Sequence, residues 1–335
     1  MILVTGGLGF IGTHTARALL DLGESCVLLQ RRAVTALPAT LAAEHGTRLF
    51  TEQADLADRE QVRAVGDRHR ITGVVHLAGS VPWPPAPGHP VDAARAALDS
   101  LFTVVQAAAE WKAARVVVAS TIGVYAGAGA GAETGHGDVD PGAAAPLGED
   151  LPLPMTSGHV IPAFKKIGEL LTDHLAAATG VDLVNARISA AWGPLGRPAS
   201  VFFAAPQLVH AAARGTAPDL SALYAPAHAD QGIDLIYAKD CGRALALLQQ
   251  APRLNHRTYN VASGRVTTNA EVVAALSALA PGSPIDLPPG RAPQAPADIC
   301  LDITRLRQDT GYTPEYDTAR AVADYLGWLR AGNAR

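Results

Sequence analysis

The sequence predicts an α/β fold, a Rossmann-type doubly wound parallel sheet with a smaller C-terminal part beside it. Three observations carry this. Short apolar runs alternate with longer stretches of helical periodicity as far as Arg187, the order produced by strands that return through helices to lie parallel. The first run breaks at once into glycines and resumes as a helical pattern, the opening unit of such a sheet. Beyond Trp192-Gly-Pro194 the periodicity weakens and the connections lengthen, as expected of a smaller part that covers the ligand-binding edge.

Taken in order, residues 2–12 read Ile-Leu-Val-Thr-Gly-Gly-Leu-Gly-Phe-Ile-Gly: strand, tight turn, helix. Gly6 allows the turn, Gly9 lets backbone approach a pyrophosphate, and Gly12 packs helix against strand. The anion then meets the helix N-terminus, where Phe10 and Ile11 begin the helix. This stretch predicts dinucleotide binding. Residues 25–30 form the second strand, whose end selects the cofactor: an acid there holds the ribose 2′-hydroxyl of NAD, whereas arginine accommodates the 2′-phosphate of NADP. The chain offers Gln30, Arg31 and Arg32, two arginines and no acid, which favours NADP over NAD. Solvated loop arginines are the alternative. Asp55-Leu56, after a short third strand, stands where adenine would be met, or simply leads into a helix from Asp58.

Residues 73–79 are a buried fourth strand ending in Leu77, Ala78 and Gly79, small enough for backbone to lie close to a ligand. A proline-rich loop over 81–90 precedes a helix over 93–111, and 115–120 is an apolar fifth strand. Thr121 to Tyr125 follow it, at the carboxyl end where catalytic groups belong. Residues 126–158 are almost wholly Gly, Ala, Pro and acids, too polar and too small for a core, and read as a flexible loop or lid. An amphipathic helix over 163–179 carries Ile167, Leu170, Leu171, His174 and Leu175 on one face, and 181–187 is the sixth strand. Helices are expected near 202–214, over 240–250, 269–279 and 318–330, with strands at 233–237 and 259–262. This gives a cofactor-binding part, 1–187 with 233–262, and a smaller substrate-binding part, 188–232 with 263–335.

Bulk properties narrow the class. A chain of 335 residues with 48% hydrophobic content has ample core. A net charge of −4 supplies no basic field, so a small molecule and not a nucleic acid is the expected partner. With a strand expected from residue 2, no leader peptide is expected. The most apolar tract, 116–132, is broken by Ser120, Thr121 and glycines, so no membrane span is expected and the expected compartment is the cytoplasm. Cys26, Cys241 and Cys300, odd in number and far apart, suit a reducing compartment without a metal site.

At this point the chain resembles the extended short-chain dehydrogenase/reductases, the NAD-dependent epimerase/dehydratase group, over nearly its whole length. The resemblance rests on Thr5-Gly-Gly-Leu-Gly-Phe-Ile-Gly12, Asp55-Leu56, Val75-His-Leu-Ala-Gly79, Ala119-Ser-Thr-Ile-Gly-Val-Tyr125, Arg187 and Trp192-Gly-Pro194. Ile236–Asp240, Tyr259-Asn-Val-Ala-Ser-Gly264, and Leu301-Asp-Ile-Thr-Arg-Leu-Arg307 with Thr310-Gly-Tyr312 continue it. It implies a tyrosine that exchanges a proton with a hydroxyl or carbonyl while nicotinamide exchanges hydride. A lysine four residues on lowers the tyrosine's pKa, and a Ser or Thr bonds the same oxygen. Thr121 matches the hydroxyl. Lys165 matches the lysine and would also hold the nicotinamide ribose; a solvated lysine, like its neighbour Lys166, is the bland alternative. The group's helix pairs imply a homodimer through 93–111 and 162–179.

The tyrosine should be residue 161, and it is Ile161. No tyrosine occurs between Tyr125 and Tyr224, so another group must move the proton or the chemistry has changed. His159, near the start of the same helix, is the first substitute, since histidine titrates near neutrality. Tyr125 and the loop acids Glu133, Asp138, Glu149 and Asp150 are others. Ile122-Gly123 replaces the acidic pair of sugar-nucleotide dehydratases, and His228-Ala-Asp-Gln-Gly232 lacks the arginine that in the resembling enzymes holds a diphosphate, which points to a smaller or less charged substrate, with Arg197 or Arg214 serving in its place as the alternative. The leading expectation is an NAD(P)-dependent oxidoreductase or epimerase-type enzyme with a non-standard proton donor. A non-redox lyase, cyclase or isomerase, or a catalytically silent cofactor-binding protein, are the alternatives.

Overall fold

The computed structural model describes residues 1–79, 88–126, 145–155, 157–293, 295 and 297–335. The expected proline-rich loop falls largely on 80–87 and most of the expected lid, with Glu133 and Asp138, on 127–144, outside the described residues.

Seven strands form one parallel sheet: β1 (Ile2–Thr5), β2 (Cys26–Gln30), β3 (Leu49–Gln53), β4 (Gly73–His76), β5 (Arg115–Thr121), β6 (Asp182–Ile188) and β10 (Thr258–Val261). Their order across the sheet is β10-β6-β5-β4-β1-β2-β3, and every pairing is parallel. The chain leaves β1 in one direction and, after β3, returns past it in the other, so the carboxyl ends of β1 and β4 open a crevice at the reversal. The remaining strands are two small pairs. β7 (Ala190–Trp192) lies beside β9 (Leu235–Tyr237), and β8 (Gly232–Ile233) beside β11 (Thr267–Thr268). The expected strand over 233–237 is thus split at Asp234. The cause is its buried carboxylate, which accepts from the backbone N–H of Ser263, Gly264 and Leu301 and ties three separate segments together.

The helices are α1 (Phe10–Asp21), α2 (Ala39–Ala42), α3 (Arg59–Arg63), α4 (Val65–Arg68), α5 (Pro90–Trp111), α6 (Val160–Thr179), α7 (Ala205–Arg214), α8 (Ala238–Gln250), α9 (Asn269–Leu279), α10 (Thr304–Thr310) and α11 (Thr318–Arg330). α1 and α8 cover one face, where Gly242 brings the backbones together: a Cβ there would lie 2.4 Å from the carbonyl carbon of His14. α5 covers the other face, its Leu101, Val104 and Val105 packed on Val74, Val116 and Val118 of the strands. A third cluster joins α7, α9 and α11 around Leu208, Val272, Tyr325 and Trp192. None of the described helices is long and apolar enough to cross a membrane.

α6 corrects the sequence reading. Only part of its expected apolar face is covered: Leu171 and Leu175 pack on the core, but Leu170 is 61% exposed and Ile167 40%, while Glu169, Thr172 and Lys166 point inward. A buried ion pair explains this. Arg187 of β6 donates to both oxygens of Glu169, at 2.7 Å from Nη2 to Oε2, and Ser120 donates to Oε1 at 2.5 Å. Lys166, expected in solvent, is buried and donates its ammonium to the Pro154 carbonyl.

Candidate active site

The turn after β1 is made of backbone. Gly6 has a φ of +66°, a region that a side chain strongly disfavours, and its carbonyl accepts from Gly9 N at 2.9 Å. A Cβ on Gly12 would lie 2.2 Å from that same carbonyl. The third glycine is therefore required by the turn itself more than by the strand. Gly9 caps α1 in an extended conformation, leaving the first N–H groups of the helix directed at the crevice. Across the crevice, Gly79 has a φ of +83°, and a Cβ there would collide with Ser100 Oγ. Thr5 joins the two sides, a role missed in the sequence although Thr5 opens the glycine motif. Its hydroxyl oxygen accepts from Leu77 N at 3.1 Å and Ala78 N at 3.2 Å, so its proton is left for His76 Nδ1, 2.9 Å away. His76 is buried, which drives its pKa down to about 3 and keeps it neutral.

Two hollows open from this region and share Ile161. The larger, about 430 Å³, is lined by Gly9, Phe10, Ile161, Trp192, Gly193, Arg197 and Phe202 among others. The smaller, about 40 Å³, lies deeper, among Ala78, Gly79, Ile161, Phe164, Lys165 and Glu169. Lys165 donates to the Ala119 carbonyl at 2.7 Å. Burial pulls its ammonium down to about 8, with the Glu169 carboxylate opposing.

The other predicted residues are distributed as follows. Thr121 ends β5, and its hydroxyl oxygen accepts from Gly123 N at 3.2 Å, which leaves its own proton available. Ile11 packs into the core under the turn. Arg31 and Arg32 are exposed just past β2. Between them and the turn, Gln30 keeps a buried amide nitrogen that makes no hydrogen bond among the described residues. Asp55 closes a local turn by accepting from Ala57 N at 3.0 Å, Leu56 packs on the core, and Asp58 is the residue that caps α3.

His159 does not line the small hollow with Lys165. It caps α6, its Nδ1 accepting from Ile161 N at 3.2 Å, and its ring stands edge-on to Phe202 with centroids 5.6 Å apart. Tyr125 is buried, donating to Asn260 and accepting from Arg187 at 2.8 Å each. Of the loop acids, Glu149 accepts from Asn260 N and Asp150 is bonded to Arg305. Both belong to the frame.

These residues fit a dinucleotide. Side chains are kept out of the turn at Gly6 and Gly12, helix N–H groups face the crevice, and at the end of β2 Gln30 keeps a buried amide nitrogen without a hydrogen bond among the described residues.

The comparisons agree. The model of the NAD dependent epimerase/dehydratase family matches residues 2–262. The UDP-glucose 4-epimerase of Azospirillum brasilense is 27% identical over 98% of this chain and 92% of its own length. The same enzyme of Neisseria meningitidis is 24% identical over 98% and 96%. Among solved structures, the UDP-glucose 4-epimerase of Thermotoga maritima with UDP-glucose superposes with a TM-score of 0.74 at 18% identity, covering 99% of both chains. That of Thermus thermophilus with NAD gives 0.72 at 24% identity, over 100% of this chain and 99% of the other. The fold, the glycine turn and the match across most of the chain lead to one statement: this chain is an enzyme of the NAD-dependent epimerase/dehydratase family.

Proposed function

We propose that this enzyme binds a nicotinamide dinucleotide, NADP in preference to NAD, and acts on a hydroxyl or carbonyl of a small molecule without the tyrosine on which its family relies. The observation that carries the reading is the combination of an intact glycine turn with Ile161 between the two hollows. The glycine turn and the N-terminus of α1 would hold the pyrophosphate, Arg31 and Arg32 the 2′-phosphate, and Ala78 and Gly79 the ring side. Bound there, the nicotinamide supplies or accepts hydride. Thr121 offers a hydroxyl proton to the reacting oxygen. Lys165, buried and weakly basic for a lysine, carries the positive charge beside it.

A nucleotide sugar is the first substrate class to offer, because relatives spanning the whole chain are UDP-glucose 4-epimerases. A smaller, less charged substrate is the second, because residues 228–232 carry no arginine and much of the cleft wall is apolar, with Phe10, Ile161, Trp192 and Phe202. Membership of β10 in the main sheet supports a cofactor-binding part of 1–187 with 233–262. The exposed Phe102, Ile167 and Leu170 on α5 and α6 support a homodimer through those helices.

Titration calorimetry of the cofactor-free protein tests the reading. NADPH is expected to bind, and Arg31→Ala with Arg32→Ala to weaken it at least about tenfold, roughly 1.4 kcal/mol, while NADH is unchanged. If no reduced or oxidised form binds, the proposal falls.

A further inference from the structure

We propose that Lys165 is itself the acid–base group of this site, exchanging its own proton with the reacting oxygen in place of the absent phenol. The inference deepens the function proposed above and rests on it.

Position comes first. Ile161 borders both hollows, and Lys165, one helical turn further along α6, borders the inner one. The inner hollow thus sets Lys165 beside Ile161 and beside Ala78 and Gly79, with an aliphatic side chain where the family would place a phenol. The hollow's volume of about 40 Å³ exceeds the roughly 10–15 Å³ that one water needs, so it has room for a water beside Lys165. Second, the ammonium has three N–H donors. One reaches Ala119 O, and among the described residues Lys165 makes no other hydrogen bond or ion pair.

The charges around it leave that proton labile. From β4 comes His76, neutral and held by Thr5. On α6 itself lies Glu169, whose carboxylate is already engaged by Arg187 of β6 and Ser120 of β5. β6 adds Asn185, and α5 adds only Ala97, Leu98 and Leu101. Among the described residues no unshared anion pins the ammonium, and burial brings it to about 8, near the operating range of a general acid. His159, engaged at the helix cap and against Phe202, stands outside this hollow.

The step balances. In the reductive direction the hydride reaching the carbonyl carbon would come from a dihydronicotinamide as co-reactant. An N–H bond of Lys165 breaks, its electron pair stays on Nζ, and the O–H bond of the product alcohol forms. Solvent reprotonates the amine through the cleft, and oxidation runs the same transfers in reverse.

The test is competitive acetylation of the intact folded chain with acetic anhydride across about pH 6 to 11, read by peptide mass spectrometry, with exposed Lys112 as internal reference. Lys165 is expected to titrate with a midpoint near 8 and to outreact Lys112 by about tenfold or more at that pH. A midpoint near the ordinary lysine value of about 10.4 overturns the proposal, as does failure to label at any pH, since the amine would then be out of reach of the cleft. Calorimetry of NADPH on Lys165→Arg, which keeps the charge but cannot release a proton near neutrality, reads any part Lys165 has in holding the cofactor separately from its titration. A loss above about tenfold, together with a high labelling midpoint, assigns Lys165 to holding cofactor alone. Failure of the parent protein to bind any nicotinamide form overturns the function proposed above, while the labelling midpoint still decides the state of Lys165.

Discussion

The two walls of the cleft are built from different materials. The wall at β1 and α1 is backbone: turns at Gly6, Gly9 and Gly12, free helix N–H groups, and the Thr5 hydroxyl that fastens β1 to the end of β4. The wall at the start of α6 is side chain: Ile161 above Lys165, with His159 at the cap. A backbone site tolerates little change: Gly12 is hemmed in by the backbone of Gly6 and Gly7, Gly9 faces the Gly6 carbonyl, and Gly6 holds a positive φ. A side-chain site can lose its reactive group while the helix that carries it stays in place. In this chain the first wall keeps the pattern of its family and the second does not.

Gly12→Ala is the harshest test of that contrast. Its Cβ would lie 2.2 Å from Gly6 O, and the expected outcome is about 3 kcal/mol less stability in urea unfolding, with NADPH binding abolished in calorimetry. A variant that folds and binds normally would break the distinction between the walls.

An intermediate effect comes from His76, on the backbone side. Its folded pKa, about 3, lies below the free value of 6.5, so the folded state binds fewer protons between those values. Stability is full above about pH 6.5 and falls as pH drops, by about 1.4 kcal/mol per unit for one proton. Between pH 6.5 and 5 the loss is about 2 kcal/mol from this residue, and His14, also lowered by burial, pushes in the same direction. Urea midpoints at the two pH values measure it, and His76→Gln should flatten the dependence. Equal slopes in the parent and the variant would remove His76 from the account.

The mildest change should be Ile161→Tyr. Residue 161 borders open space, so the larger ring is expected to cost less than about 1 kcal/mol and to leave NADPH affinity within about threefold. A large loss in either would mean that the second wall is as rigid as the first.

The same contrast governs what could be read from the sequence. Local signals were legible. The glycine turn announces β1 and α1, and α9 and α11 begin at caps visible as Thr268 and Asp317, each accepting from the N–H three residues on. Non-local partners were not. The apolar stripe on α6 suggests a buried face, but the helix turns inward on Glu169 because Arg187 waits on another element. The strand at 233–237 breaks at Asp234 because its donors come from residues 263, 264 and 301. The absence of a phenol at 161 was plain in the sequence, whereas the weak basicity of Lys165 comes from the folded surroundings of its ammonium.

The Glu169–Arg187 pair has a consequence for how such a site diverges. With Ser120, it fixes α6 against β5 and β6 from below the reactive turn. The helix cannot rotate or slide without leaving a charge unmatched in the interior. Residue 161 is thus held at a constant address by atoms two turns away, and a codon change there substitutes one side chain for another without resetting the helix. The lock makes this position a place where a lineage can exchange one chemistry for another by single steps, each intermediate still folded.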